Sequence, residues 1–163
     1  MAAERQSRRG DRRVEIVEWA GDRWALEELL LEADPSRALV AAYLGEGFLL
    51  AALEGGRPVG EALAVPHPGG WELKNLAVDA ACRRRGIGRA LVEGVLARLA
   101  PGETLWVGTA EGVPWGLAFY GACGFVRDHL VPGFFLKNYP QPVMDGGIRC
   151  IDMVYLRRKK EES

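Results

Sequence analysis

An apolar run, Trp71–Val78, is followed after four residues by Arg83-Arg84-Arg85-Gly86-Ile87-Gly88-Arg89, and then by Leu91, Val92, Val95, Leu96 and Leu99 at helical spacing. Residues in this order pass from strand to helix through a basic, glycine-punctuated turn. Glycines 86 and 88 permit close backbone approach and unusual dihedrals. The first amides of the helix have no partner in the chain, and the helix dipole favours an anion there. The turn is therefore an anion site suited to a pyrophosphate, and it commits this stretch to a layered α/β fold.

The rest of the chain agrees with that layering. Val14–Trp19 reads as a first strand. Asp22 can cap a helix carrying Leu26, Leu29, Leu30 and Ala33, and Asp34-Pro35 reads as an N-cap followed by proline at the first helical position. That second helix carries Leu39, Val40, Tyr43 and Leu44 and stops near Gly45 and Gly47. Phe48–Leu53 is an apolar strand, Glu54-Gly55-Gly56-Arg57 a hairpin loop, and Pro58–Val65 the returning strand. After the arginine-glycine turn and its helix, Thr104–Gly108 is a short strand. Pro114–Ala122 is a helix ended at Gly124, and Phe125–Val131 is a strand. Pro132–Pro142 reads as irregular, and Ile148–Leu156 as a last strand. The expectation is one α/β domain over residues 14–157 with a mixed sheet, between a polar N-terminal tail (1–13) and a charged C-terminal tail (158–163).

Composition narrows the function. The 163 residues carry a formal net charge of −1, against the strongly basic footprint of a nucleic-acid binder. No apolar run approaches the ~18 residues of a membrane helix, so no membrane partner and a cytoplasmic location are expected. The N-terminal arginines (Arg5, Arg8, Arg9, Arg12 and Arg13) read as a solvated tail or, less simply, as an arm for polyanions. Cys82, Cys123 and Cys150 form no CxxC pair, which argues against a disulfide framework, and with only His67 and His129 beside them no metal site is expected.

Two nucleotide patterns fail at the turn. No G-x-x-x-x-G-K-[ST] segment exists, and the third glycine of a dinucleotide fingerprint is replaced by Leu91. Leu73-Lys74-Asn75-Leu76-Ala77-Val78-Asp79, followed by Arg83-x-x-Gly86-x-Gly88, instead closely resembles the acetyl-CoA motif of GNAT-family N-acetyltransferases. A later stretch, Leu117-Ala118-Phe119-Tyr120-Gly121-Ala122-Cys123-Gly124-Phe125, resembles the family's helix-to-strand motif, F-Y-x-x-x-G-F. The resemblance spans roughly residues 14–157. The C-terminal runs Phe134–Pro140 and Gly147–Met153 also resemble a bacterial, uncharacterised subgroup.

This resemblance implies a GNAT-type acyl-CoA N-acyltransferase fold, a mixed and mostly antiparallel central sheet of about seven strands flanked by helices. It implies acetyl-CoA as co-substrate, held at its pyrophosphate by amides from Arg84 to Arg89 (including Gly86, Ile87 and Gly88), with Arg83, Arg84, Arg85 and Arg89 adding charge. Backbone groups of Leu76, Ala77 and Val78 would face the acetyl carbonyl and the pantetheine arm. Tyr120 would protonate the departing thiolate. A phenol, with a pKa of about 10, can give a proton to a thiolate whose acid has a pKa of about 8.5. Glu72, four residues before Leu76, stands where some members carry a glutamate base; its plainer reading is an exposed strand-end carboxylate. Glu61 is the next candidate, expected to be solvated or salt-bridged, and a water chain would also serve.

One departure is Val113, where many members carry an asparagine; Gly116 stands where alanine is common. The cysteines read as small buried residues and His67 as a turn residue. His129 could line the acceptor site, and Trp115, Phe134, Phe135 and Tyr139 could wall it. The implied activity is transfer of acetyl directly to a primary amine of a small molecule or peptide. A non-catalytic acyl-CoA-binding or regulatory domain is the alternative. The last strand could also pair with a second copy as a homodimer.

Overall fold

The computed structural model describes residues 13–162. The arginine-rich segment before Arg13, read as a tail or polyanion arm, lies outside the described residues. The chain divides into two compact units, one running to Ala64 and taking in Asn75–Arg98, the other comprising Val65–Lys74 with Leu99 onward.

In the first unit, β1 (Val14–Glu18) pairs antiparallel with β2 (Phe48–Glu54), and β2 with β3 (Arg57–His67). Gly55 and Gly56, both at positive φ, supply the tight turn between β2 and β3. Asp22 accepts the Trp24 amide at 3.0 Å and opens a short 3-10 turn, Arg23–Leu26, that leads into α1 (Glu27–Ala33). The second helix, α2 (Arg37–Tyr43), corrects the expected cap: Ser36 is the N-cap, its hydroxyl accepting the Leu39 amide at 3.2 Å. The residue before a proline is pushed to extended backbone, and Asp34 has φ −137° and ψ 106°. Its carboxylate accepts the Ser36 amide and the Tyr43 hydroxyl instead.

The stripe read after the arginine-glycine turn becomes α3 (Ile87–Arg98), and Leu91, Val92, Val95 and Leu96 are all buried. Each such side chain taken fully from water is worth roughly 1.5–3 kcal/mol. The helix lies against the strands: a Cβ on Gly60 would sit 3.1 Å from Leu91 and 3.3 Å from Ile87. Glycine at 60 is what lets α3 approach β3.

In the second unit, β4 (Gly70–Val78) runs parallel to β5 (Thr104–Ala110) from Gly70 opposite Thr104 to Leu73 opposite Val107. β5 pairs antiparallel with β9 (Met153–Lys159), and β9 with β6 (Val126–Val131). α4 (Pro114–Ala122) has proline in its first turn. The segment read as irregular contains α5 (Phe134–Asn138), and the strand read as Ile148–Leu156 divides into β8 (Ile148–Cys150) and β9. β8 pairs instead with β7 (Val143–Asp145) in a hairpin. The division has a local cause. Ile151 O accepts the Phe135 amide, Asp152 O accepts the Glu111 amide, and the Asp152 carboxylate accepts the Gly133 amide. Those backbone groups serve loops rather than a ladder.

Hydrogen bonds order the strands β1-β2-β3-β4-β5-β9-β6, a seven-stranded mixed sheet, mostly antiparallel, with the expected flanking helices. No helix among the described residues is long and apolar enough to cross a membrane.

Candidate functional site

The basic turn is built by the strand before it and the helix after it. Asp79 accepts the Ala81 amide at 2.9 Å and turns the chain out of β4. Arg84 (φ 64°) and Gly86 (φ 78°) then take left-handed backbone. Gly88 is an ordinary residue of α3, so Arg84 supplies the second unusual dihedral. This conformation delivers the chain to the N-terminus of a twelve-residue helix, where unpaired amides and the dipole favour an anion. Arg84, Gly86 and Arg89 are exposed. A hollow bordered by Val14, Ile16, Arg85, Gly86, Ile87 and Ala90 opens beside them.

The four arginines are not equivalent. Arg83 pairs with Glu32 and donates to Val78 O, while Arg85 pairs with Glu54. Glu54 also pushes the Arg85 guanidinium further above its ordinary range. Both side chains brace the turn against its own unit. Leu76–Val78 lie beyond the ladder that joins β4 to β5.

Glu61 departs from its expectation. It is fully buried, and neither carboxyl oxygen has a hydrogen-bond partner among the described residues. Burial pushes its pKa up to about 8, with the Ala77 backbone opposing the rise without reaching hydrogen-bond geometry. It is neither solvated nor salt-bridged. Asn75 is the other buried polar residue; its amide donates to Leu30 O and Tyr43 Oη at 3.0 Å each, fixing β4 beneath α1 and α2.

In the second unit, Tyr120 sits half-buried on α4, edge-on to Phe119 (centroids 5.0 Å apart) and Phe125 (5.6 Å). The expected asparagine position is filled by Val113, 1% exposed, in a cluster with Ala110 and Cys150. A side chain there serves packing. Glycine at 116 has a steric reason, because a Cβ would lie 2.5 Å from Thr109 Oγ1.

Glu72 lies in the ladder opposite Trp106, its side chain 15% exposed and 3.7 Å from Lys74 Nζ, so it is a shielded carboxylate rather than a free strand end. Trp115 donates to Asp145 at 3.0 Å, and Phe135 stacks on Tyr139. Phe135 and Tyr139 border a hollow with Leu136, Pro142, Val143 and Arg149. All three cysteines are free and buried. Among the described residues no group of three or more His, Cys, Asp or Glu is placed to hold a metal.

Sequence reasoning missed the surroundings of His129. Its ring stacks on Tyr155 (centroids 5.0 Å apart, planes 12° apart), and its Nδ1 lies 2.6 Å from Asp128. The adjacent Asp-His pair was visible in the sequence, but its partners come from other strands.

The model of the acetyltransferase (GNAT) family matches residues 14–125. The chain is 33% identical to the uncharacterised N-acetyltransferase YvbK of Bacillus subtilis (strain 168) over 147 residues, 88% of this chain and 94% of that protein. A GNAT family acetyltransferase from Elizabethkingia anophelis, solved with acetyl-CoA bound, superposes with a TM-score of 0.82 at 30% identity, covering 90% of this chain and 97% of that one. A Bacillus subtilis acetyltransferase solved with CoA superposes at 0.79, also at 30% identity, covering 90% and 99%.

Proposed function

The chain belongs to the GNAT acetyltransferase family, and we propose that it transfers the acetyl group of acetyl-CoA directly to a primary amine of a small molecule or peptide. The observation that carries this reading is the turn: a basic left-handed loop opening a long helix directly after β4. Its chemistry fits a pyrophosphate, which needs several converging N–H donors and positive charge. Amides from Arg84 to Arg89 would hold it, with the exposed Arg84 and Arg89 as charge. Backbone of Leu76, Ala77 and Val78 would meet the acetyl and pantetheine groups. An amide aimed at the acetyl oxygen stabilises the negative charge that develops as the amine attacks.

Tyr120 is the proposed acid that protonates the leaving thiolate, and Glu72 the carboxylate that receives the acceptor's ammonium group. Glu61 loses its place as a base: it has no exposure, and at neutral pH burial leaves it protonated. The test is thiol release from acetyl-CoA across a panel of polyamines, amino acids, aminoglycosides and peptides. Release with at least one amine is expected. Binding of acetyl-CoA without thiol release from any of them would leave a non-catalytic acyl-CoA-binding domain in its place.

A further inference from the structure

One face of the second unit's sheet gathers, beside Glu72, groups that no assigned role uses. β6 pairs with β9 at Arg127 opposite Leu156 and at His129 opposite Tyr155, so Asp128 is an extra, bulged residue. A bulge re-aims side chains. Here it brings Asp128 beside both Arg157 Nε (3.0 Å) and His129 Nδ1 (2.6 Å). With Nδ1–H donating to the carboxylate, the Nε2 lone pair is left to accept a proton.

The neighbours come from four further strands, β9, β5, β4 and β3. Tyr155 lies under the His129 ring, and Trp106 stands edge-on to it with centroids 6.1 Å apart. Glycine at 108 makes room: a Cβ there would be 2.8 Å from Met153 Sδ and 3.1 Å from Tyr155 Cε1. Glu72 is opposite Trp106 in the ladder, and burial, then Glu72, push the Tyr155 hydroxyl up to about 12. His67 closes the row, 5.5 Å from Trp106. Leu73, Leu105, Val107, Val154 and Leu156, which alternate with these residues, are buried on the other face. The row is therefore the accessible face, with the His129 side chain 51% exposed. Ring faces beside a carboxylate suit an alkylammonium ion.

We propose that this face receives the acceptor amine and that His129, positioned by Asp128, is the base that takes its proton. The inference rests on the acetyl-transfer reading and deepens it. The acceptor's ammonium gives one proton to His129 Nε2, which passes it to solvent. The freed lone pair attacks the acetyl carbon, so a C–N bond forms and the C–S bond breaks with its electrons leaving on sulfur. The nitrogen loses a second proton to solvent as the amide forms; Tyr120 gives its phenolic proton to the thiolate and regains one from solvent, so one proton is released per turnover. The charged and titratable groups facing His129 or its neighbours in this row are Asp128, Arg157, Tyr155, Glu72 with its partner Lys74, and His67.

The experiment measures kcat/KM against pH for the best amine of the panel, with the acetyl-CoA Kd measured alongside, in the parent, His129→Gln and Asp128→Asn. His129→Gln is expected to lose about 100-fold or more at neutral pH and to flatten the acidic limb, with acetyl-CoA binding unchanged. Added imidazole should restore part of the loss, which a purely structural role would not allow. Asp128→Asn should lower kcat less. A His129→Gln enzyme within about twofold of the parent at every pH would overturn the proposal while leaving the acetyltransferase standing. A parent that binds acetyl-CoA and releases thiol with no amine would overturn both.

Discussion

Gly86 holds φ at 78° at the mouth of α3, where an L side chain is strained. Aspartate there would carry that strain and place a carboxylate among amides suited to an anion. Gly86→Asp is expected to weaken CoA binding at least ~100-fold in a calorimetric titration, combining strain with charge repulsion of several kcal/mol at short range. Unchanged affinity would remove the turn from the coenzyme site. Tyr120→Phe should cut kcat by about tenfold or more with little change in acetyl-CoA affinity, because only the proton donor is lost; a parental rate would excuse Tyr120 from the chemistry. The turn was legible in the sequence because its determinants are contiguous: a strand, arginines, glycines and a helix within thirty residues or so. The differing duties of Arg83 and Arg85 were not, because Glu32 and Glu54 lie 51 and 31 residues away.

At the scale of elements, legibility followed where the stop and start signals lie. α4 was read to the residue because Pro114 opens it and Gly124, at φ 87°, follows it. The start of α2 was misread because two capping residues compete two positions apart. Asp34 precedes proline and is extended, so the cap falls to Ser36. Ser36→Ala should therefore cost about 1 kcal/mol, a fall in Tm of roughly 2–4 °C by calorimetry; an unchanged Tm would mean that the Ser36 hydroxyl caps nothing. The separation of β8 from β9 carried no sequence signal, since Ile151 and Asp152 differ from strand residues only in the loops that bond them.

For the whole molecule, the buried Glu61 makes stability depend on pH. Its folded pKa of about 8 lies above the ordinary 4.5, so the folded state holds a proton that the unfolded state releases between those values. Stability from this group is fully present below pH 4.5 and declines as pH rises towards 8, by at most ~1.4 kcal/mol per pH unit. Glu61→Gln, neutral at every pH, should gain on the parent as pH increases, by a few kcal/mol near pH 8 at the upper bound. Denaturant unfolding from pH 5 to 8 checks this, and parallel curves would show that Glu61 is ionised and paired. By itself the sequence determined the order of strands and helices from β1 to β6, the basic turn and the family, because periodicity, caps and motifs act between near neighbours. Only the tertiary structure decided that Glu61 is buried without a partner, that Val113 belongs to a core cluster, and that His129 meets Asp128, Tyr155 and Trp106 on one face. Burial and cross-strand register depend on residues distant in the chain, and no local pattern records them.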